Sequence, residues 1–196
     1  MSMKKILLAI CLVSTFFATA QEAENNTPKG FDRNRMFLGS GLILGLSNIS
    51  FNIGANPEIG YSLNSWLDAG VSVNLNYFSQ NANLTGVRER NFNYGGGAFL
   101  RAWPVNFLFV QLMPEYNFIH SSQFIPSTNE SFTYKLQAPS LLAGIGYGSR
   151  QVGSRISYFS IMLDISQNKN SPYVDFYGNP QPIFRAGFGF YLKPKR

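Results

Sequence analysis

The stretch "ANPEIGYSLNSWLDAGVSVNLNYF", Ala55 to Phe78, alternates apolar and polar residues, turns at Ser62-Leu63-Asn64-Ser65, and alternates again. With the residues just before it, the first arm sets Phe51, Ile53, Ala55, Pro57, Ile59 and Tyr61 against Asn52, Gly54, Asn56, Glu58, Gly60 and Ser62. The second sets Leu67, Ala69, Val71, Val73, Leu75 and Tyr77 against Asp68, Gly70, Ser72, Asn74 and Asn76. A period of two is that of a strand with unlike faces, and each arm exceeds the usual strand of about 5–6 residues. One face therefore needs a broad apolar surrounding, and the other must house a glutamate that follows a proline.

The whole chain carries the same message. It has 196 residues, 45% hydrophobic but only 13% charged, with 18 glycines, 18 phenylalanines and 10 tyrosines. Ordinary proteins carry about 25% charged residues, so a water-facing surface is short of charge, yet no long apolar run follows the first twenty residues. This combination predicts a β-protein with an apolar exterior. At the N-terminus, Lys4 and Lys5 precede the apolar run Ile6 to Phe17, and Ala18-Thr19-Ala20 forms an A-x-A cleavage site before Gln21. That is the pattern of a secretory signal, and its apolar run is shorter than the roughly 20 residues a spanning helix needs. Cys11, the single cysteine, lies within it behind Ile10, so the mature chain is expected to hold no disulfide and no lipid anchor. Loss of Lys4 and Lys5 lowers the formal net charge from +6 to +4. The remaining basic residues are scattered, so no nucleic-acid partner is expected.

The predicted organisation is a signal over 1–20, a flexible periplasmic leader over 21–34 ("QEAENNTPKGFDRN"), and a barrel over 35–196. Eight strands are predicted, near 35–46, 49–62, 66–78, 91–103, 106–120, 134–148, 155–164 and 181–192. Their connections alternate. Those at 62–65, 104–105 and 149–154 are short, whereas 79–90, 121–133 and 165–180 are long and polar. Short periplasmic turns alternating with longer extracellular loops mark an outer-membrane barrel, and closure satisfies every backbone group in lipid. Aromatics gather at both predicted ends: Tyr61, Trp66, Trp103, Phe107 and Tyr147 by the short turns, and Tyr77, Phe78, Phe92, Tyr94 and Phe118 toward the long loops. Two such clusters match the interfacial girdles. The fold class is thus all-β, a closed eight-stranded antiparallel up-and-down transmembrane barrel.

The same alternation locates the chemistry. In the fifth strand Leu108, Val110, Leu112, Pro114, Tyr116 and Phe118 oppose Phe109, Gln111, Met113, Glu115 and Asn117. In the eighth, Phe184, Ala186, Phe188, Phe190 and Leu192 oppose Arg185, Gly187, Gly189 and Tyr191. Glu58 and Glu115 thus face inward, with Arg101 and Arg185 on the same side and Arg155 expected to join them near the turns. An eight-stranded interior is just wide enough for side chains to fill, and charges inside it must be paired. A lumen network of these five residues is predicted, with Pro57 and Pro114 at irregular ladder positions. The glycine-rich "NYGGGAFLR" (93–101) and "AGIGYG" (143–148) are not followed by the helix that a phosphate cradle requires; they read as barrel curvature.

At this point the chain resembles the small eight-stranded outer-membrane β-barrel proteins of Gram-negative envelopes, of OmpA/OmpX-type, porin-like architecture. The likeness rests on the signal, strand count, loop alternation and the last strand "FRAGFGFYL" (184–192). It implies that Arg185, Gly187, Phe190 and Leu192 form a terminal assembly signal read by the barrel-assembly machinery, although "KPKR" follows where the family ends on an aromatic. It implies outer-membrane lipid as the surrounding medium and a monomer as the working unit. His120 and Ser122, in "FIHSSQF", also resemble the His-x-Ser pair of outer-membrane lipid A deacylases, in which histidine activates serine against an acyl ester. The match departs at Gln123, where asparagine is usual, and the nearby acid Glu130 falls in a loop.

The expectation is a non-enzymatic outer-membrane protein with a structural or surface-interaction role, without cofactor or metal. Its long loops would meet an extracellular glycan or protein. The alternatives are a lipid A or phospholipid hydrolase using His120 and Ser122, and a narrow channel.

Overall fold

The structure, a computed structural model, describes residues 31–46, 48, 50–82, 86–166, 168–174 and 179–192. The signal, most of the leader and the terminal "KPKR" fall outside them. A single 3-10 turn, Arg33–Arg35, leads into eight strands: β1 Met36–Leu46, β2 Ser50–Ser62, β3 Leu67–Gln80, β4 Arg88–Val105, β5 Leu108–Ile125, β6 Glu130–Gln151, β7 Arg155–Asp164 and β8 Ile183–Tyr191. Each pairs antiparallel with the next, and β8 closes on β1. The alternation of Ala55–Phe78 becomes the β2–β3 hairpin, with Tyr61 opposite Ala69 and Ala55 opposite Leu75.

The two faces are sorted by burial. Outward positions such as Leu38, Ile59, Val71, Leu100, Leu112, Ile145, Phe159 and Phe188 are all exposed on the barrel wall. A continuous apolar belt round the whole ring exceeds what a water-soluble monomer tolerates, and lipid is the solvent that suits it. The molecule is a transmembrane β-barrel. Inward positions hold Phe37, Phe99, Phe109, Met113, Leu142, Ile156, Tyr158 and Met162 as a buried core. These large side chains fit because glycines face them. A Cβ at Gly146 would lie 2.1 Å from the Phe109 ring, and one at Gly187 would lie 2.2 Å from Tyr158. Two of the expected girdle residues belong inside instead: Trp103 is buried in the lumen, and Phe78 shares its inward parity.

The prolines interrupt the ladders. The β2–β3 pairing skips Asn56 and Pro57, and the β4–β5 pairing skips Met113 and Pro114. The expected corner at 104–105 sits slightly later. β4 runs through Val105, the turn is Asn106-Phe107, and a register shift lies between Ala102 and Val105.

The largest departure concerns the segment 121–133, expected as a long loop. β5 continues to Ile125 and β6 begins at Glu130, joined by Pro126-Ser127-Thr128-Asn129 with Asn129 at φ 58. Asparagine tolerates that left-handed conformation and proline suits an early turn position. Phe124, Ile125, Phe132, Thr133 and Tyr134 on either side are good strand formers. The polar residues between them misled the loop reading. The segment 79–90 also contributes strand at both ends, so Gln80 pairs with Glu89. Strands β3 to β6 have 14, 18, 18 and 22 residues, whereas β7, β8, β1 and β2 have 10, 9, 11 and 13. One side of the barrel therefore rises as a wall above the rest.

Candidate functional site: a filled lumen beneath a raised wall

The lumen charges lie in three tiers. In the middle tier β4 brings Arg101 opposite Glu58 of β2, with Nη2 3.1 Å from Oε2. Arg101 Nε donates to Gln111 Oε1 at 2.9 Å, and Tyr158 donates its hydroxyl to Glu58 at 3.2 Å. The guanidinium carbon stands 4.2 Å from the Tyr158 ring centre, 5.0 Å from Phe99 and 5.2 Å from Phe109. An arginine with no exposed surface is tolerated because its charge meets a carboxylate and its planar faces meet π-systems.

Above it, Arg185 of β8 pairs with Glu115 of β5 at 3.1 Å and donates to the Met113 sulfur at 3.2 Å. Glu115 also accepts the hydroxyl of Tyr173 at 2.7 Å. Tyr173 belongs to the β7–β8 connection, and with Ser171 it reaches into the barrel mouth. Asn74 donates to Tyr173 at 2.7 Å and to Asn117 at 2.9 Å, and accepts from Asn56 at 2.9 Å. Ser171 anchors this loop by donating to Asp164 at 2.5 Å. Burial, reinforced by Glu115, pushes the Tyr173 phenol well above its ordinary range, so it remains a donor.

The third tier lies at the short-turn end. Asp68 accepts from Ser62 at 2.7 Å, from Trp103 Nε1 at 2.9 Å and from Arg150 Nη2 at 2.6 Å. Arg150 also donates to the carbonyls of Asn64 and Ser65, tying the β2–β3 turn to β6.

Of the five residues expected in the lumen, Glu58, Arg101, Glu115 and Arg185 are brought together as two pairs. Arg155 is not. It heads β7 at an outward position and is exposed, and Arg150 occupies the place assigned to it. Sequence reading missed Arg150 because it assigned 149–154 to a turn; extending the β6 alternation from Gly146 and Gly148 would have turned it inward. Asp68 was placed on the inner face but without a partner, and Tyr173 lay in a loop with no period to read.

Above Tyr173, Asn52, Asn76, Asn91 and Asn93 each hold a buried side-chain oxygen without a hydrogen-bond partner among the described residues, as does Ser121. On β6 the same inner parity presents Phe132, Tyr134 and Leu136, all exposed. β6 pairs with β7 only from Leu142 onward. Among the described residues, the stretch from Glu130 to Ala138 is thus hydrogen-bonded as a ladder to β5 alone.

His120 and Ser122 point outward on β5. The imidazole packs edge-on against Tyr94, with centroids 5.6 Å apart, and no hydrogen bond joins it to Ser122 or to a carboxylate among the described residues. Glu130 instead accepts from Thr128 at 3.1 Å. In the last strand, Arg185 and Gly187 face the lumen while Phe190 and Leu192 are exposed outside.

No family model matches the chain, and no curated protein matches it. Among solved structures it is similar to Ail, the attachment invasion locus protein of Yersinia pestis. The identity is 9%, the TM-score is 0.46, and the alignment covers 79% of this chain and 94% of that one.

Proposed function

We propose that the protein is a monomeric, non-enzymatic integral outer-membrane barrel that works as a surface-interaction module through its raised β3–β6 wall. The observation that carries this reading is the free edge of β6. Among the described residues, Glu130 to Ala138 leaves one row of backbone donors and acceptors without a strand partner, beside exposed Phe132, Tyr134 and Leu136. An exposed edge of this kind is a template for an added strand. A protein with an extended segment is therefore the partner it favours. The half-buried asparagines of the inner face, Asn52, Asn76 and Asn91, suit hydroxyl groups and give an extracellular glycan as the second reading.

A narrow channel fits less well, because the Arg101 stack and the Tyr173 loop fill the bore. A deacylase lacks a formed histidine–serine contact. The secretory signal, the belt and the terminal strand support delivery by the barrel-assembly machinery to the outer membrane, with the raised wall outside.

The test is removal of Ser121–Tyr134 with an Asn-Gly closure, leaving the lipid belt intact. The trimmed protein should stay in the outer-membrane fraction after carbonate washing and migrate differently folded and boiled. Producing cells should lose adherence to panels of immobilised surface proteins and glycans. Undiminished adherence would overturn the wall as the interaction surface. Recovery of the native protein in the soluble periplasm would overturn the membrane placement itself.

A further inference from the structure

The outer face of the raised wall carries a different chemistry from its inner face. Along β5 the outward positions Leu108 to Phe118 are apolar. At a rise of about 3.3 Å per residue and a tilt near 40°, that run climbs about 25 Å, the height of an outer-membrane apolar band. It ends in a cluster of rings: Tyr94 stacks on Phe118 at 5.3 Å, and Phe92 lies 5.9 Å from Tyr94.

The next outward positions carry basic and hydroxyl side chains. His120 stands opposite Lys135 of β6, and Ser122 stands between Arg90 of β4 and Thr133 of β6. Arg88 follows opposite Phe124. Arg88, Arg90 and Lys135 are exposed and none forms an ion pair with a described residue. The neighbouring acids do not share this face. Glu89 has inward parity and accepts from Asn91, and Glu130 has inward parity as well. At the same level the outward residues of β2 and β3 are Phe51 and Ser79, without charge.

We propose that this face binds the phosphate groups of outer-leaflet lipids, with a phosphomonoester held between Arg90, Lys135 and His120 and the hydroxyls of Ser122 and Thr133 as further donors. The inference rests on the membrane placement proposed above. Arginine and lysine supply charge-assisted donors suited to phosphate. The height selects the source: the cations begin at the top of the ring cluster, where Phe92 and Lys135 flank His120, at headgroup level, and they point sideways along the membrane. A soluble macromolecule would have to lie among the headgroups to reach them.

Native mass spectrometry of the folded barrel released from bilayers of phosphatidylcholine and phosphatidic acid tests this. The wild type should retain phosphatidic acid. Arg90→Gln with Lys135→Gln should cut retention about 25-fold, about fivefold for each interfacial cation, with the folded gel mobility unchanged. Arg155→Gln, an exposed charge at the opposite end, should leave retention as it is. Equal retention by the double variant would overturn the proposal. Displacement of the lipid by millimolar inorganic phosphate would assign the site to a free anion and overturn the lipid reading. Failure of the wild type to enter bilayers would refute the membrane placement instead, so the two failures are distinguishable.

Discussion

Replacing Glu58 by glutamine isolates the contribution of the central ion pair. The change keeps the side chain's shape and an acceptor for Tyr158, but leaves Arg101 without its counter-charge in a site with no exposed surface. At 3.1 Å the pair attracts by about 5 kcal/mol for an effective dielectric near 20. Breaking a buried pair by removing one partner costs about 3–5 kcal/mol. The lower end applies here, since Gln111 still accepts from Arg101 and three aromatic rings still face the guanidinium. The expected loss is therefore about 3 kcal/mol. Urea unfolding in lipid vesicles, followed by the fluorescence of Trp66 and Trp103, measures it. Arg101→Met strands Glu58 in turn, and the double variant should be more stable than additivity predicts by about 2 kcal/mol. Strict additivity, or a Glu58→Gln variant within about 0.5 kcal/mol of wild type, would refute the pairing argument.

Val71 is 58% exposed on the belt, so Val71→Arg should cost about 2–4 kcal/mol in the same vesicle assay. Arg150→Ala removes the partner of a fully buried Asp68 and should cost about 3 kcal/mol, whereas exposed Arg155→Ala should stay within about 0.5 kcal/mol. Tyr173→Phe deprives Glu115 of a donor, and should destabilise by about 1–3 kcal/mol and speed amide exchange across 168–174. Purified protein should release no fatty acid from lipid A or phospholipid, and His120→Ala and Ser122→Ala should leave folding and abundance unchanged; release by the wild type that both variants abolish would establish the hydrolase.

The alternation was enough to assign Phe51–Ser62 and Leu67–Tyr77 to lipid or lumen, because side-chain direction in a strand depends only on parity; Phe78, read as a girdle ring for its aromatic character, obeys the same parity and faces inward. The same local rule placed Glu58, Arg101, Glu115 and Arg185 inside and made the strand count legible. It could not say that Glu58 meets Arg101 while Glu115 meets Arg185. Those partners lie 43 and 70 residues apart in sequence, and their relative height depends on register and shear accumulated around a closed ring. Nor could parity show that Arg150 rather than Arg155 reaches Asp68, or that Tyr173 enters the bore from a loop, since a loop's path is set by the contacts it finds. The height of the wall was decided by a four-residue turn at Pro126–Asn129, where closure of the hairpin let polar and aromatic residues continue a ladder instead of forming a loop. Facing was local and therefore written in the sequence; pairing and height were collective, and only the closed barrel decided them.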